Sequence, residues 1–202
     1  MDSATTYMKK HLIFFAIIIS AITLTSCGNG KTPDSKELDT VWNEKVQDTF
    51  YGATFGDSIA TAVEQIESHG FWLNRSVSME DFVSFRPKER MMFSFGGLGW
   101  KYLYITAVNG KFNHIEFMLP FSDKAAAMDE YNSVLNTVSQ KYKITPVEIT
   151  DTNTYAKCRI FGKNETAAYI VCDRYESVGN EIWFGCSLVY GTLKDFGTNN
   201  EL

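Results

Sequence analysis

The chain has too few cysteines for a disulfide scaffold, four in 202 residues. It has no excess of basic charge. Nineteen Lys and Arg stand against 24 Asp and Glu, with a pI near 5.2. Nucleic acid is therefore not expected as a partner, because phosphate binding wants clustered Lys and Arg. It has no apolar run long enough for a permanent span: Leu12 to Ser26 covers 15 residues, where a spanning helix needs ~20. It carries neither a G-x-x-x-x-G-K-[ST] nor an H-E-x-x-H motif, so no cofactor or metal is expected. What remains is ordinary for a globular chain, 45% hydrophobic and 21% charged. That composition excludes a disordered, collagen-like or coiled-coil chain.

The first 26 residues read as an address. Lys9, Lys10 and His11 precede the apolar run from Leu12 to Ile19, which softens through Ser20, Ala21 and Thr23. A basic segment followed by a short apolar stretch is a secretory signal. Met8 begins a more typical signal than Met1 does. Without these 26 residues, basic residues fall to 17 and acidic residues to 23, for a net charge of -6. Residues 28–40 hold one large apolar side chain, Leu38, and cannot bury a core. The chain thus divides into a signal peptide at 1–26, an anchor and flexible tether at 27–40, and one domain at 41–202.

Within the domain, Ile59, Ala62, Val63 and Ile66 share one face of a 3.6-residue period. They predict a helix over Ser58 to His69, capped by Asp57 or Ser58 and ended by Gly70. Met128, Tyr131, Leu135, Val138 and Tyr142 predict a second, from Asp123 to about Tyr142, with Ser122 as N-cap. The rest reads as strands. Met91–Phe95, a turn at Gly96–Gly99, Trp100–Val108, the Asn109-Gly110 hairpin and Lys111–Leu119 form one meander. Thr154–Phe161, Thr166–Arg174 and Glu181–Tyr190 form another, with turns near Gly162–Asn164 and Val178–Asn180. Weaker strands are expected at Val46–Phe50 and Asp81–Phe85. The expected class is α+β: an antiparallel sheet packed by two helices. Phe55-Gly-Asp-Ser echoes Phe121-Ser-Asp-Lys 66 residues later, which suggests two helix-plus-meander half repeats.

Leu24-Thr25-Ser26-Cys27 resembles a bacterial lipobox, and all four positions fit. The resemblance implies cleavage before Cys27 and diacylglycerol on its thiol. Several acyl chains at ~0.8 kcal/mol per buried CH2 hold a protein stably on a membrane. Gly28 follows, with no Asp retention signal, which points to the outer membrane. The layout is similar to that of small Bacteroides-type envelope lipoproteins. More loosely it resembles β-lactamase-inhibitor-like and outer-membrane-assembly helix-on-sheet modules. The residues behind it are the lipobox, the Phe55-Gly56-Asp57-Ser58 helix start and Asn109-Gly110. It implies a non-enzymatic binding module. Asp39-Thr40-Val41 and Asp57-Ser58-Ile59 also resemble the Bacteroides-type O-glycosylation acceptor.

Cys158, Cys172 and Cys186 are spaced by 14, one in each of the last three strands. Facing residues whose numbers sum to 330 and 358 would set them side by side on the core face. Lys157, Arg159, Asp173, Glu181 and Ser187 would point the other way, and Tyr155, Val171 and Trp183 with them. The cysteines read either as three buried thiols or as one cross-strand disulfide with one thiol over. A metal site does not suit them, since neighbours on one face do not surround a tetrahedral ion.

Two histidines follow the signal, His69 and His114. His69 suits a helix C-terminus. His114 and Glu116 lie two apart on a predicted strand and would form an acid/base pair on one face. Aromatic content is 14%. Trp100, Tyr102 and Tyr104 alternate on one expected strand, and Phe71, Trp72 and Arg75 follow the first helix. These six are the candidate binding residues, for a protein or glycan partner if exposed, or core if not. The leading expectation is a lipid-anchored, non-enzymatic binding or assembly-partner module attached through Cys27. The alternatives are a small envelope hydrolase using His114 and Glu116, or an enzyme inhibitor.

Overall fold

The computed structural model describes residues 40–89, 91–177 and 181–194. Cys27, the lipobox, the signal and the tether up to Asp39 lie outside the described residues, as does the Val178–Asn180 turn. The strands are β1 (Trp42–Asn43), β2 (Thr49–Phe50), β3 (Ala53–Thr54), β4 (Phe71–Leu73), β5 (Phe82–Pro87), β6 (Phe93–Phe95) and β7 (Leu98–Trp100). They continue as β8 (Tyr102–Val108), β9 (Lys111–Phe121), β10 (Thr145–Pro146), β11 (Thr154–Gly162), β12 (Thr166–Glu176) and β13 (Ile182–Thr192). The helices are α1 (Ile59–Ser68) and α2 (Lys124–Ser139).

Among the described residues, nine strands form one sheet in the order β1-β11-β12-β13-β9-β8-β5-β4, with β10 also on β11. The chain is α+β, but the sheet is mixed rather than antiparallel throughout. β1 joins β11 in parallel. Asn43 makes this possible. Its amide donates to the carbonyls of Lys143 and Phe161, and its Oδ1 accepts from the Lys143 N–H at 2.8 Å.

Both helix starts are capped by side chains. Ser58 Oγ accepts from the Thr61 N–H at 3.1 Å, so Ser58 is the first cap, with Asp57 serving the Thr54 N–H. Asp123, not Ser122, caps α2 through the Ala126 N–H at 2.9 Å. A carboxylate at this position also meets the positive end of the helix dipole. The Phe55–Ser58 turn is stitched to the β8–β9 hairpin by Gly56 N–H to Phe112 O, Ile59 N–H to Gly110 O and Phe112 N–H to Asp57 O. Asn109 and Gly110 both take positive φ, as a two-residue primed turn requires.

Trp100 departs from its expected strand. Gly96 and Gly97, both at positive φ, make a tight turn that pairs β6 with β7 as a separate hairpin. The chain breaks at Lys101 before β8 begins. The hairpin folds over the core, and Phe117 of β9 is its anchor. Phe95 stacks on Phe117 at 3.9 Å and 5°, and Phe50, Phe93, Trp100 and Tyr190 lie within 6.4 Å of the same ring. Tyr131, Val134 and Val138 of α2 and Ala62 and Ile66 of α1 join this cluster.

Phe117→Ala removes a fully buried ring that five others touch. It should cost ~3–5 kcal/mol of unfolding free energy, read from urea denaturation. A loss below ~1 kcal/mol would mean that the hairpin is not anchored there.

Candidate functional site

Alternation along the strands separates two faces. Residues such as Ile170, Leu188, Ile115, Leu103 and Val83 enter the core cluster together with the two helices. Among the described residues, no helix packs on the opposite face. Register across six strands brings Arg159, Tyr169, Val189, Glu116, Tyr104 and Ser84 into one row. The next row runs Lys157, Val171, Ser187, Met118 and Tyr102. The row on the other side includes Gly191, His114, Thr106 and Phe82.

This face is roofed by its own long side chains. Val171, Ser187, Val189 and Met118 are buried beneath them, while Tyr102, Tyr104, Tyr169, Tyr175 and Trp183 are half-buried. The rings are ordered. Tyr104 lies between Phe82 at 5.5 Å and Tyr102 at 6.0 Å, both stacked. Tyr175 and Trp183 stack at 4.1 Å and 12°. Lys157 Nζ sits 5.1 Å over the Tyr169 ring. Gly185 leaves space for the Tyr175–Trp183 stack. A Cβ there would fall 2.7 Å from Tyr175 and 3.4 Å from Trp183.

Two carboxylates sit among these rings. Burial pushes the Glu116 carboxyl up to about 7, against a hydrogen bond from Ser187 Oγ at 2.7 Å and with added repulsion from Asp173. Burial pushes Asp173 up to about 6, against a 2.7 Å hydrogen bond from Thr154 Oγ1 and the charge of Lys157. Tyr169 is raised by burial first, then by these two negative charges. The face therefore holds carboxylates that exchange protons near neutral pH beneath stacked rings.

The candidate residues are distributed unevenly. Tyr102 and Tyr104 lie on this face, as do His114 and Glu116. Trp100 does not share their face. It is fully buried on the core side, with its Nε1 donating to the Phe95 carbonyl at 3.1 Å. Phe71 is also buried, because it points to the core side of β4, where its ring meets Tyr51 and Phe93 edge-on. Trp72 on the same strand is 62% exposed, and Arg75 is exposed beyond its end. By register Trp72 pairs with Arg86, so it points to the same side of the sheet as Ser84 and Tyr104, at the β4 edge. His69 ends α1, with its Nδ1 2.8 Å from the Gln65 carbonyl.

The three late cysteines are buried on the core face, and the structure holds each of them unbridged. Facing residues on β12 and β13 sum to 358, as expected, which sets Cys172 opposite Cys186. On β11 and β12 they sum to 328, not 330, so Cys158 faces Ile170. The three-residue connection of Lys163, Asn164 and Glu165, with Glu165 at positive φ, moves the register by two. Among the described residues no group of three or more His, Cys, Asp and Glu is arranged to hold a metal ion. No helix of the described residues is long and apolar enough to cross a membrane.

Asp173, Ser187, Arg159 and Trp183 belong to this face, and strand parity had already turned them away from the cysteines. Tyr155 shared that parity but packs on the core side against Phe184 at 5.8 Å, because a bulge between Thr154 and Ala156 shifts the strand. Comparison with protein-family models, with curated proteins and with solved structures found no match.

Both raised carboxyls bind a proton more tightly folded than unfolded. Their stabilisation is complete below the unfolded values and is lost as pH rises through the folded ones. Thermal stability should therefore fall from pH 5 to pH 8, and Glu116→Gln should flatten the slope. A Tm that rises over this range would contradict the burial of Glu116. Separately, Gly185→Val should displace the Tyr175–Trp183 stack and change the near-UV circular dichroism. An unchanged spectrum would place the two rings elsewhere.

Proposed function

We propose that the chain is a lipid-anchored protein of the bacterial envelope, held through Cys27, that acts as a non-enzymatic binding module. Its recognition surface is the helix-free face of the sheet. The observation that carries this reading is the ordered, half-buried layer of Tyr102, Tyr104, Tyr169, Tyr175 and Trp183 around Glu116 and Asp173. Tyrosine and tryptophan offer broad contact area with few torsions to freeze and a polar atom at the rim. A partner that brings a cation or hydrogen-bond donors to Glu116 would relieve the unfavourable burial of its charge. Protein and glycan surfaces both meet that description. The outer membrane is the proposed site, on the sequence around Cys27.

The sheet order supports a finer reading of the fold as two half repeats. α1 precedes the run β4-β5-β8-β9, and α2 precedes β11-β12-β13. The last strands of the two runs, β9 and β13, pair antiparallel. Two copies of a helix-plus-meander unit related by a twofold would meet in this way.

In-cell cross-linking with co-purification and mass spectrometry tests the binding role. Wild type should retain a reproducible envelope partner. Cys27→Ala should lose it by losing the membrane, and Tyr102→Ala with Tyr104→Ala should lose it while remaining anchored. A partner held equally by the tyrosine variant would remove this face from the reading.

One observation favours a second reading, a small hydrolase. Glu116, two residues from His114 on the same face, titrates near 7, the range a general acid or base needs. An esterase or glycosidase activity in purified protein that both His114→Ala and Glu116→Gln abolish would displace the binding role.

A further inference from the structure

The geometry points to a disulfide between Cys172 and Cys186, with Cys158 left as a thiol. Three independent features select this pair. The first is register: Cys172 lies directly opposite Cys186, while Cys158 lies opposite Ile170.

The second is hydrogen-bond phase. Ser177 N–H donates to Glu181 O at one end of the β12–β13 ladder, and Leu193 N–H donates to Glu165 O at the other. Both pairs keep the register of the ladder. Hydrogen-bonded pairs recur at every second residue of an antiparallel strand. Cys172 stands an odd number of residues from both Ser177 and Glu165, so Cys172 and Cys186 form a non-hydrogen-bonded pair. Such pairs hold their Cα atoms ~4.5 Å apart with side chains closest. That lies within the ~4.4–6.8 Å window of disulfides. Cys158 is only a diagonal neighbour of Cys172, and diagonal pairs lie ~7–8 Å apart, at or beyond the limit of ~7 Å for bridging.

The third feature is the surroundings of Cys158. Tyr131 of α2 hydrogen-bonds its sulfur, so Cys158 is engaged with the helix rather than with its strand neighbours. Cys172 and Cys186 are both fully buried.

The bond forms by thiol–disulfide exchange with a disulfide donor, either a dithiol oxidoreductase or glutathione disulfide. One cysteine thiolate attacks a donor sulfur, which breaks the donor S–S bond and gives a mixed disulfide. The second thiolate then attacks the protein sulfur and releases the second donor thiolate. The chain loses two electrons and two protons, and the donor leaves as two thiols. Burial holds the Cys172 thiol up at about 11 and raises that of Cys186 as well, so neither is reactive once folded. Oxidation thus belongs to the folding chain, while the β12–β13 hairpin is still open. The inference stands on the core face and is independent of what the aromatic face binds.

The test refolds the full chain from denaturant in a glutathione redox buffer. It then blocks thiols with N-ethylmaleimide in denaturant and maps peptides by mass. The expected product carries label on Cys27 and Cys158 and a linked peptide joining Cys172 to Cys186. Cys158→Ala should leave that link intact, Cys172→Ala should remove it, and reduction should lower the urea midpoint. Label on all four cysteines would overturn the assignment, as would a link that includes Cys158 or Cys27. Where refolding fails, the same labelling on membranes of cells exporting the chain reads Cys158, Cys172 and Cys186: label on Cys158 with the Cys172–Cys186 link is expected, and label on all three or a link that includes Cys158 would overturn the assignment.

Discussion

The antiparallel pairing of β9 with β13 is the constraint on which the structure depends. Eight register pairs, from Phe184 with Phe121 to Gly191 with His114, join strands that lie 71 residues apart at Glu116 and Ser187. Without that ladder there would be two small sheets, each with an open edge. With it, Phe117 on one side faces a continuous core, and Glu116 on the other side reaches Ser187. A one-residue slip would exchange the two faces of β9. It would bring Glu116 to the core and Phe117 to the helix-free side, and that cost is what holds the register.

The two faces then follow different physics. The core side is closed by α1, α2 and the β6–β7 hairpin, and its aromatic rings are mostly tilted or edge-on around Phe117. The helix-free side is closed only by side chains, and its rings lie in stacked pairs. Long aromatic and cationic side chains exclude enough water to bury valines and a serine, yet keep polar atoms at the rim. The same exclusion lifts the carboxyls of Glu116 and Asp173. A charge held in this way is unfavourable for folding, and groups of this kind tend to be found where a partner or substrate meets the protein.

Much of the fold was legible in the residues, because its signals are local. The apolar period of Ile59, Ala62, Val63 and Ile66 marks α1, and Asn109-Gly110 marks the β8–β9 turn. Where local signals misled, a specific geometric event intervened. Gly96-Gly97 allowed a separate hairpin and took Trp100 away from Tyr102 and Tyr104. A bulge at Thr154 to Ala156 carried Tyr155 to the core side. The three-residue connection after β11 moved Cys158 from Cys172 to Ile170. β1 and β10, two residues each, are too short for any period to register. The candidate site was half visible, since parity grouped Arg159, Asp173, Ser187 and Trp183 but could not say which strands lay beside theirs.

By itself the sequence determined the helices, most strands, the hairpin turns and the alternation that puts the cysteines on one face. These depend on contacts between near neighbours, and each leaves a periodic or capping signal. Tertiary structure alone decided that β9 and β13 are neighbours and that Glu116 and Tyr104 share a row with Tyr169. It also decided that Trp100 is core. Those outcomes depend on the pairing of strands far apart in the chain, and no local pattern of side chains records which strand will lie alongside.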